Sequence, residues 1–287
     1  MMLVTSGVCL YAEGETEETN ENSKSPTPTV GVTLQDKIED AIRNNRTYAL
    51  DDYDSGTIVI KKDQVLTLDL NGHTLTNDNG RHTIENHGTL TITDSKGNGT
   101  VDNISHGRGA IYNYPEGTVT LNGGTYTRGK EAGSDADTSG GNSWYTIKNY
   151  GTMTINDGVT VNQGAEGNGK YSSLIANGWY DISKSPANNE PEPIEGKTAK
   201  LTINGGNISG GLWVVKNDDN GETFIKGGTI KGYASGVVMN ANVLTISNGT
   251  LICDGKNKPV VCTMAIDDKV DKGITNITGG TFSGSNE

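Results

Sequence analysis

Five aromatic side chains stand out for the chemistry they permit. Trp144, Tyr145, Tyr171, Trp179 and Tyr180 flank two irregular segments, 128–145 and 164–180, in a chain with only two phenylalanines. A flat ring with a polar rim stacks on the apolar face of a sugar, so these residues are the candidate carbohydrate-binding set. The same rings have an alternative use, which is to pack their loops onto the scaffold that carries them. Titratable groups offer less. Asp94, Asp102 and Arg108 are near enough in sequence to approach one face, where carboxylates could hold a hard cation. No following segment repeats those carboxylates. His82 and His87 lack a third ligand at any familiar zinc spacing, and His106 lies in Ser105-His106-Gly107-Arg108-Gly109, which reads as a loop. Asp135, Asp137, Asp218, Asp219, Asp267, Asp268 and Asp271 fall in irregular stretches, where solvation accounts for them. No catalytic group, metal site or cofactor is assigned.

Composition narrows the partners. With 23 Lys and Arg against 35 Asp and Glu, the net charge is -12. Affinity for nucleic acid comes mainly from displaced counterions, so that partner is excluded. No window reaches the roughly 20 consecutive apolar residues of a membrane span. Residues 1–12 read as the distal half of a secretory signal peptide without its basic start. Residues 13–32, carrying Glu13, Glu15, Glu17, Glu18 and Glu21, read as a disordered acidic linker. The expected location is therefore secreted or attached to the cell wall or surface. Outside the signal segment only Cys253 and Cys262 remain, either paired in an oxidising compartment or left as two thiols.

The scaffold is written in a repeat. Apolar-Thr-apolar, a tight turn and Gly-Thr-apolar recur at Leu68-Asp69-Leu70-Asn71-Gly72-His73-Thr74-Leu75, Leu201-Thr202-Ile203-Asn204-Gly205-Gly206 and Leu244-Thr245-Ile246-Ser247-Asn248-Gly249-Thr250-Leu251. Eight such units cover residues 66–282. Their turn positions, His73, Gly99, Gly124, Gly158, Gly206, Gly228, Gly249 and Gly280, come as close as 21 and 22 residues apart. That length is one solenoid turn of three short strands, whereas a propeller blade needs about 40 to 45 residues. Longer spacings mark loops inserted chiefly at 128–143, 164–172, 178–199 and 254–273. Pro186, Pro191 and Pro193 make 184–197 a candidate for disorder.

A second register runs through the repeat. Ile84-Glu85-Asn86, Ile111-Tyr112-Asn113, Ile147-Lys148-Asn149, Ile175-Ala176-Asn177, Val215-Lys216-Asn217 and Val238-Met239-Asn240 each place an asparagine after an apolar pair. Asparagine tolerates left-handed backbone at a corner, and stacked amides bond one another. This predicts a structural asparagine ladder of Asn86, Asn113, Asn149, Asn177, Asn217 and Asn240, with Gly88, Gly117 and Gly151 turning the chain into the next strand. Branched apolar residues point into a narrow axial core while Thr faces outward. Thr33-Leu34-Gln35-Asp36 opens a helix over 34–43 that covers the first coil. Thr281-Phe282-Ser283-Gly284 has no such cover, so more chain or another molecule is expected there.

The helix, Gly56-Thr57-Ile58-Val59-Ile60, the Leu68–Leu75 phrase and the asparagine corners together resemble the pectin-lyase-like superfamily. The Thr202-Ile203-Asn204-Gly205-Gly206 style is similar to secreted or wall-attached proteins of Gram-positive bacteria. The resemblance covers about residues 33–282. It implies an all-β fold, a right-handed parallel β-helix of eight to nine coils within a 33–287 domain, with a short N-terminal capping helix. Function is not implied so narrowly, because that superfamily includes lyases, hydrolases, adhesins and phage tailspikes. Its galacturonan hydrolases carry Asn-Thr-Asp, paired Asp, Gly-His-Gly and Arg-Ile-Lys on consecutive coils, an order this chain lacks. The expectation is a non-catalytic adhesin or carbohydrate-binding module, monomeric, with a glycan or host-surface ligand. A polysaccharide lyase or glycoside hydrolase is the alternative.

Overall fold

The computed structural model describes residues 31–52, 54–129, 144–163, 172–265 and 273–285. Residues 1–12, most of 13–32, Tyr171, Asp135, Asp137, Asp267, Asp268 and Asp271 lie outside the described residues. Thr33–Glu287 forms one compact unit. No helix among the described residues is long and apolar enough to cross a membrane.

Alternating side chains along each short strand force the architecture. In Thr89–Thr93, Leu90 and Ile92 are buried while the threonines face out. The next coil repeats the pattern in register, pairing Leu90 with Val119 and Ile92 with Leu121. Among the described residues every pairing between strands is parallel, and the strands collect into three sheets of nine, eight and eight. The chain is therefore a parallel β-helix. Sheet 1 holds the Thr-rich strands such as Thr89–Thr93 and Thr152–Ile155, and sheet 2 those such as Thr100–Asn103. Sheet 3 holds Ile58–Ile60, Ile84–Asn86, Ile111–Asn113, Ile147–Asn149, Ile175–Asn177, Trp213–Asn217, Gly236–Asn240 and Val261–Thr263. Each coil visits sheets 1, 2 and 3 in turn, so each repeat unit is a strand of sheet 1, a tight turn and a strand of sheet 2.

Helix α1, Leu34–Arg43, closes the first coil. Thr33 and Asp36 form a reciprocal capping box, with Asp36 N donating to Thr33 Oγ1 at 3.2 Å and Thr33 N to Asp36 Oδ2 at 2.9 Å. Leu34, Ile38 and Ala41 are buried beneath it. Gln35 occupies the open strand edge, accepting from Val59 N at 2.9 Å and donating to Val59 O at 3.0 Å. At the other end Ile277 and Phe282 remain exposed, although they align with the buried Ile246 and Leu251.

The six asparagines at the corner from sheet 3 to sheet 1 form one continuous ladder. Asn86, Asn113, Asn149, Asn177 and Asn217 each donate to the next carboxamide at 2.7–2.9 Å, ending on Asn240, and all six are buried. Their expected left-handed backbone is corrected: none of the six has positive φ. Amide bonding places asparagine there. The following glycines act by close approach, since a Cβ on Gly151 would lie 2.2 Å from Gly117 O.

The insertion after Asn177 also departs from expectation, because 184–197 is ordered. Trp179 pairs with Asp219 as an isolated bridge, and Ile182–Lys184 makes a 3₁₀ turn. Trp179 Nε1 donates to Pro191 O at 2.8 Å, and Ser185 Oγ to the same oxygen at 2.7 Å. A satellite cluster of Tyr112, Tyr150, Trp179 and Ala199 seats the insertion against the rod.

Candidate functional site

Alternation along sheet 3 turns the middle residue of each Ile-x-Asn strand outward. Register then stacks Glu85, Tyr112, Lys148, Ala176 and Lys216 in one column along the rod. The insertion folds beside this column and encloses a groove of about 620 Å³, within the ordinary range of ligand pockets. Tyr112 and Lys148 form its floor, and Arg108, Trp144 and Tyr145 line it together with Tyr114, Tyr150, Tyr180 and Glu190. Tyr112 and Tyr150 are almost wholly buried, so their rings support the groove and leave little face for a ligand. Tyr114, Trp144 and Tyr145 are half-buried and Tyr180 is exposed, which makes these four the accessible rings.

Packing of the rings holds their orientation. His82 stacks on Tyr112 with centroids 4.5 Å apart and lies 5.0 Å from Trp144. Gly109 N points at its Nδ1 at 2.9 Å, a bond that the unprotonated nitrogen accepts. Burial, reinforced by the Arg108 charge, pushes the imidazole down to about 3, so His82 is neutral near neutral pH. Arg108 is exposed, with Nε donating to Gly80 O at 2.7 Å and Nη1 to Gly107 O at 2.9 Å. Backbone carbonyls thus aim the guanidinium.

Charges under the floor are closely grouped. Lys148 Nζ donates to Gly178 O at 2.8 Å and lies 3.4 Å from Glu190 Oε1 and 3.7 Å from Asp218 Oδ2. It also sits over the rings of Tyr150 and Tyr145, 4.6 and 5.3 Å from their centroids. Burial pushes the Lys148 ammonium down and the Asp218 carboxyl up. For Lys216 burial opposes the charge, yet the neighbouring Asp218 and Tyr145 outweigh it and hold its pKa up. Tyr150 OH lies 3.0 Å from Glu190 Oε1, and burial raises both Tyr150 and Tyr112 far above the usual phenol, keeping both hydroxyls protonated.

Of the five aromatics expected to contact sugar, the structure brings Trp144, Tyr145 and Tyr180 together on the groove. Trp179 does not join them. It is 1% exposed, its indole is committed to Pro191, and it packs on Tyr150. Tyr171 lies outside the described residues. Asp94, Asp102 and Arg108 do not meet. Asp94 accepts from Gly72 N and Gly99 N in the turns from sheet 1 to sheet 2, and Asp102 accepts from Gly129 N on sheet 2. Arg108 belongs to the groove. Tyr112, Tyr114, Lys148, Tyr150 and Glu190 were missed, although the middle position of Ile-x-Asn is the signal that finds Tyr112 and Lys148. Cys253 and Cys262 are free thiols, and no cluster among the described residues suits a metal ion.

Comparison with known proteins finds no matching family model, no matching curated protein and no matching solved structure. The functional reading therefore rests on the groove.

Proposed function

We propose that this β-helix is a non-catalytic, extracellular carbohydrate-binding module that holds a short stretch of glycan in the sheet 3 groove. One observation carries the reading: accessible rings of Tyr114, Trp144, Tyr145 and Tyr180 share one groove with polar Arg108, Asn188, Asn189 and Glu190. Rings supply stacking area, while the guanidinium and amides match hydroxyl groups. Binding is favoured over hydrolysis because Glu190 is the single carboxylate among the described residues lining this groove. Hydrolysis requires two carboxyl groups about 5 to 9.5 Å apart across the bond. The signal-like residues 1–12 support a secreted or surface location, in which such a module would serve as an adhesin. The repeat style supports membership of the pectin-lyase-like superfamily and a Gram-positive origin.

A glycan array tests the reading with wild type and a Trp144→Ala/Tyr180→Ala double variant. The expected result is wild-type binding to a defined glycan set that falls at least tenfold in the variant. Equal binding by both proteins, or release of unsaturated or reducing ends from a polysaccharide panel, overturns it.

A further inference from the structure

The groups beneath the groove are placed for a covalent reaction with one another. We propose that Lys148 and Asp218 form an intramolecular isopeptide bond, with Glu190 carrying the proton. This inference is independent of glycan binding.

Placement in the solenoid is the first support. Lys148 lies on Ile147–Asn149 and Asp218 directly follows Trp213–Asn217, with Ile175–Asn177 between them in sheet 3. A side chain joining the two must cross a complete coil. The residues at the crossing are Ala176, aligned with Lys148, and Gly178, whose carbonyl accepts from Lys148. Their small size leaves the path open, and a Cβ on Gly178 would lie 2.4 Å from Asp219 O.

Burial and partners are the second support. The side chains of Lys148, Asp218 and Glu190 are 2%, 1% and 9% exposed, and tyrosine rings flank the amine. Buried carboxylates are normally fixed by hydrogen bonds. Here Lys216 Nζ pairs with Asp218 Oδ1 at 2.7 Å, while Oδ2, which faces Lys148 Nζ at 3.7 Å, has no hydrogen-bond partner among the described residues. A stable ion pair needs those bonds to offset its desolvation. Oδ2 thus faces the Lys148 amine across a dry gap, held by no bond among the described residues that would keep the two groups apart.

The chemistry balances without an outside reagent. Amide formation starts from a neutral amine and a neutral carboxylic acid, supplied when a proton passes from the Lys148 ammonium to the Asp218 carboxylate 3.7 Å away, the direction in which burial pushes both groups. The Lys148 nitrogen lone pair attacks Asp218 Cγ. Glu190, 3.4 Å from that nitrogen, takes its proton and delivers it to the departing hydroxyl. A C–N bond forms, a C–O bond breaks, and one water leaves into the groove. Charged Lys216, beside Oδ1, stabilises the oxyanion of the tetrahedral intermediate. The product staples two non-adjacent coils and traps the seat of the insertion.

Peptide mapping of the purified full-length chain by mass spectrometry decides the matter. The expected wild-type result is no tryptic cut after Lys148. Its peptide is recovered joined to the one containing Asp218, lighter than the separate pair by one water. Lys148→Arg and Glu190→Gln, each shown by circular dichroism to keep its β-sheet signal, are expected to yield the Asp218 peptide unlinked. Separate peptides from wild type, or a link through Lys216, overturn the proposal. Full linkage in Glu190→Gln overturns the role of Glu190.

Discussion

Replacing Asn149 with alanine removes the centre of the buried amide ladder, and the cost follows from the bonds it makes. Its Nδ2 donates to Asn177 Oδ1 at 2.7 Å and to the carbonyls of Gly151 and Lys200 at 3.1 Å, while its Oδ1 accepts from Asn113 at 2.7 Å. Alanine leaves the Asn177 oxygen and the two carbonyls without this donor in a dry corner. Gly151 O keeps its bond from Lys200 N at 2.8 Å, so one or two buried groups are stranded, which at about 1–3 kcal/mol each cost about 1–6 kcal/mol. The upper end is a large share of the roughly 5–15 kcal/mol that holds a domain folded. Asn156 provides the control. It makes the same amide-to-amide contacts, to Asn122 at 2.7 Å and from Asn204 at 2.8 Å, but on an exposed corner where water replaces them. Asn156→Ala should cost less than about 1 kcal/mol. Urea unfolding followed by tryptophan fluorescence measures both. Losses equal within about 1 kcal/mol would refute the idea that burial gives this ladder its worth.

Two further outcomes are expected. Native His82 declines the proton that its unfolded form takes up between about pH 3 and its ordinary value near 6.5. Acid therefore favours unfolding in that window, by at most about 1.4 kcal/mol per pH unit. His82→Phe should flatten the fall in stability between pH 6.5 and 4, read from unfolding midpoints, and an unchanged slope would count against a buried neutral imidazole. Trp179→Ala removes the ring that seats the insertion and its bond to Pro191, costing about 3–5 kcal/mol of local stability. Limited proteolysis should then cut within 182–198 while the coils resist, and a digestion pattern identical to wild type would contradict that role.

Legibility in the sequence followed the range of the forces involved. Strand alternation acts over two residues and tight corners over two or three, so Leu90-Thr91-Ile92 and Ile147-Lys148-Asn149 announce their own geometry. Identical phrases stack because each coil buries the same side chains as its neighbour, and that repetition was enough to identify three strands per turn and the buried asparagine column. The helix likewise was legible, from a capping box and one apolar face. The chemistry of asparagine was legible too, but its backbone was not: amide bonding, rather than left-handed φ, selects it.

The groove required the tertiary structure. Tyr112, Lys148, Glu190 and Asp218 are dispersed from the second coil to the fifth and share no local motif. Stacking places Lys148 in line with Ala176 and Lys216, and the path of an irregular insertion delivers Glu190 to the amine. That path depends on Trp179 turning inward to pack on Tyr150, a contact no spacing in the chain reveals. By itself the sequence determined the coil, its core and its corners, because those rest on contacts that recur every turn. Which outward residues meet, which rings stay open, and which lysine faces which carboxyl were decided by the single, non-repeating contacts that fold the insertion against the rod.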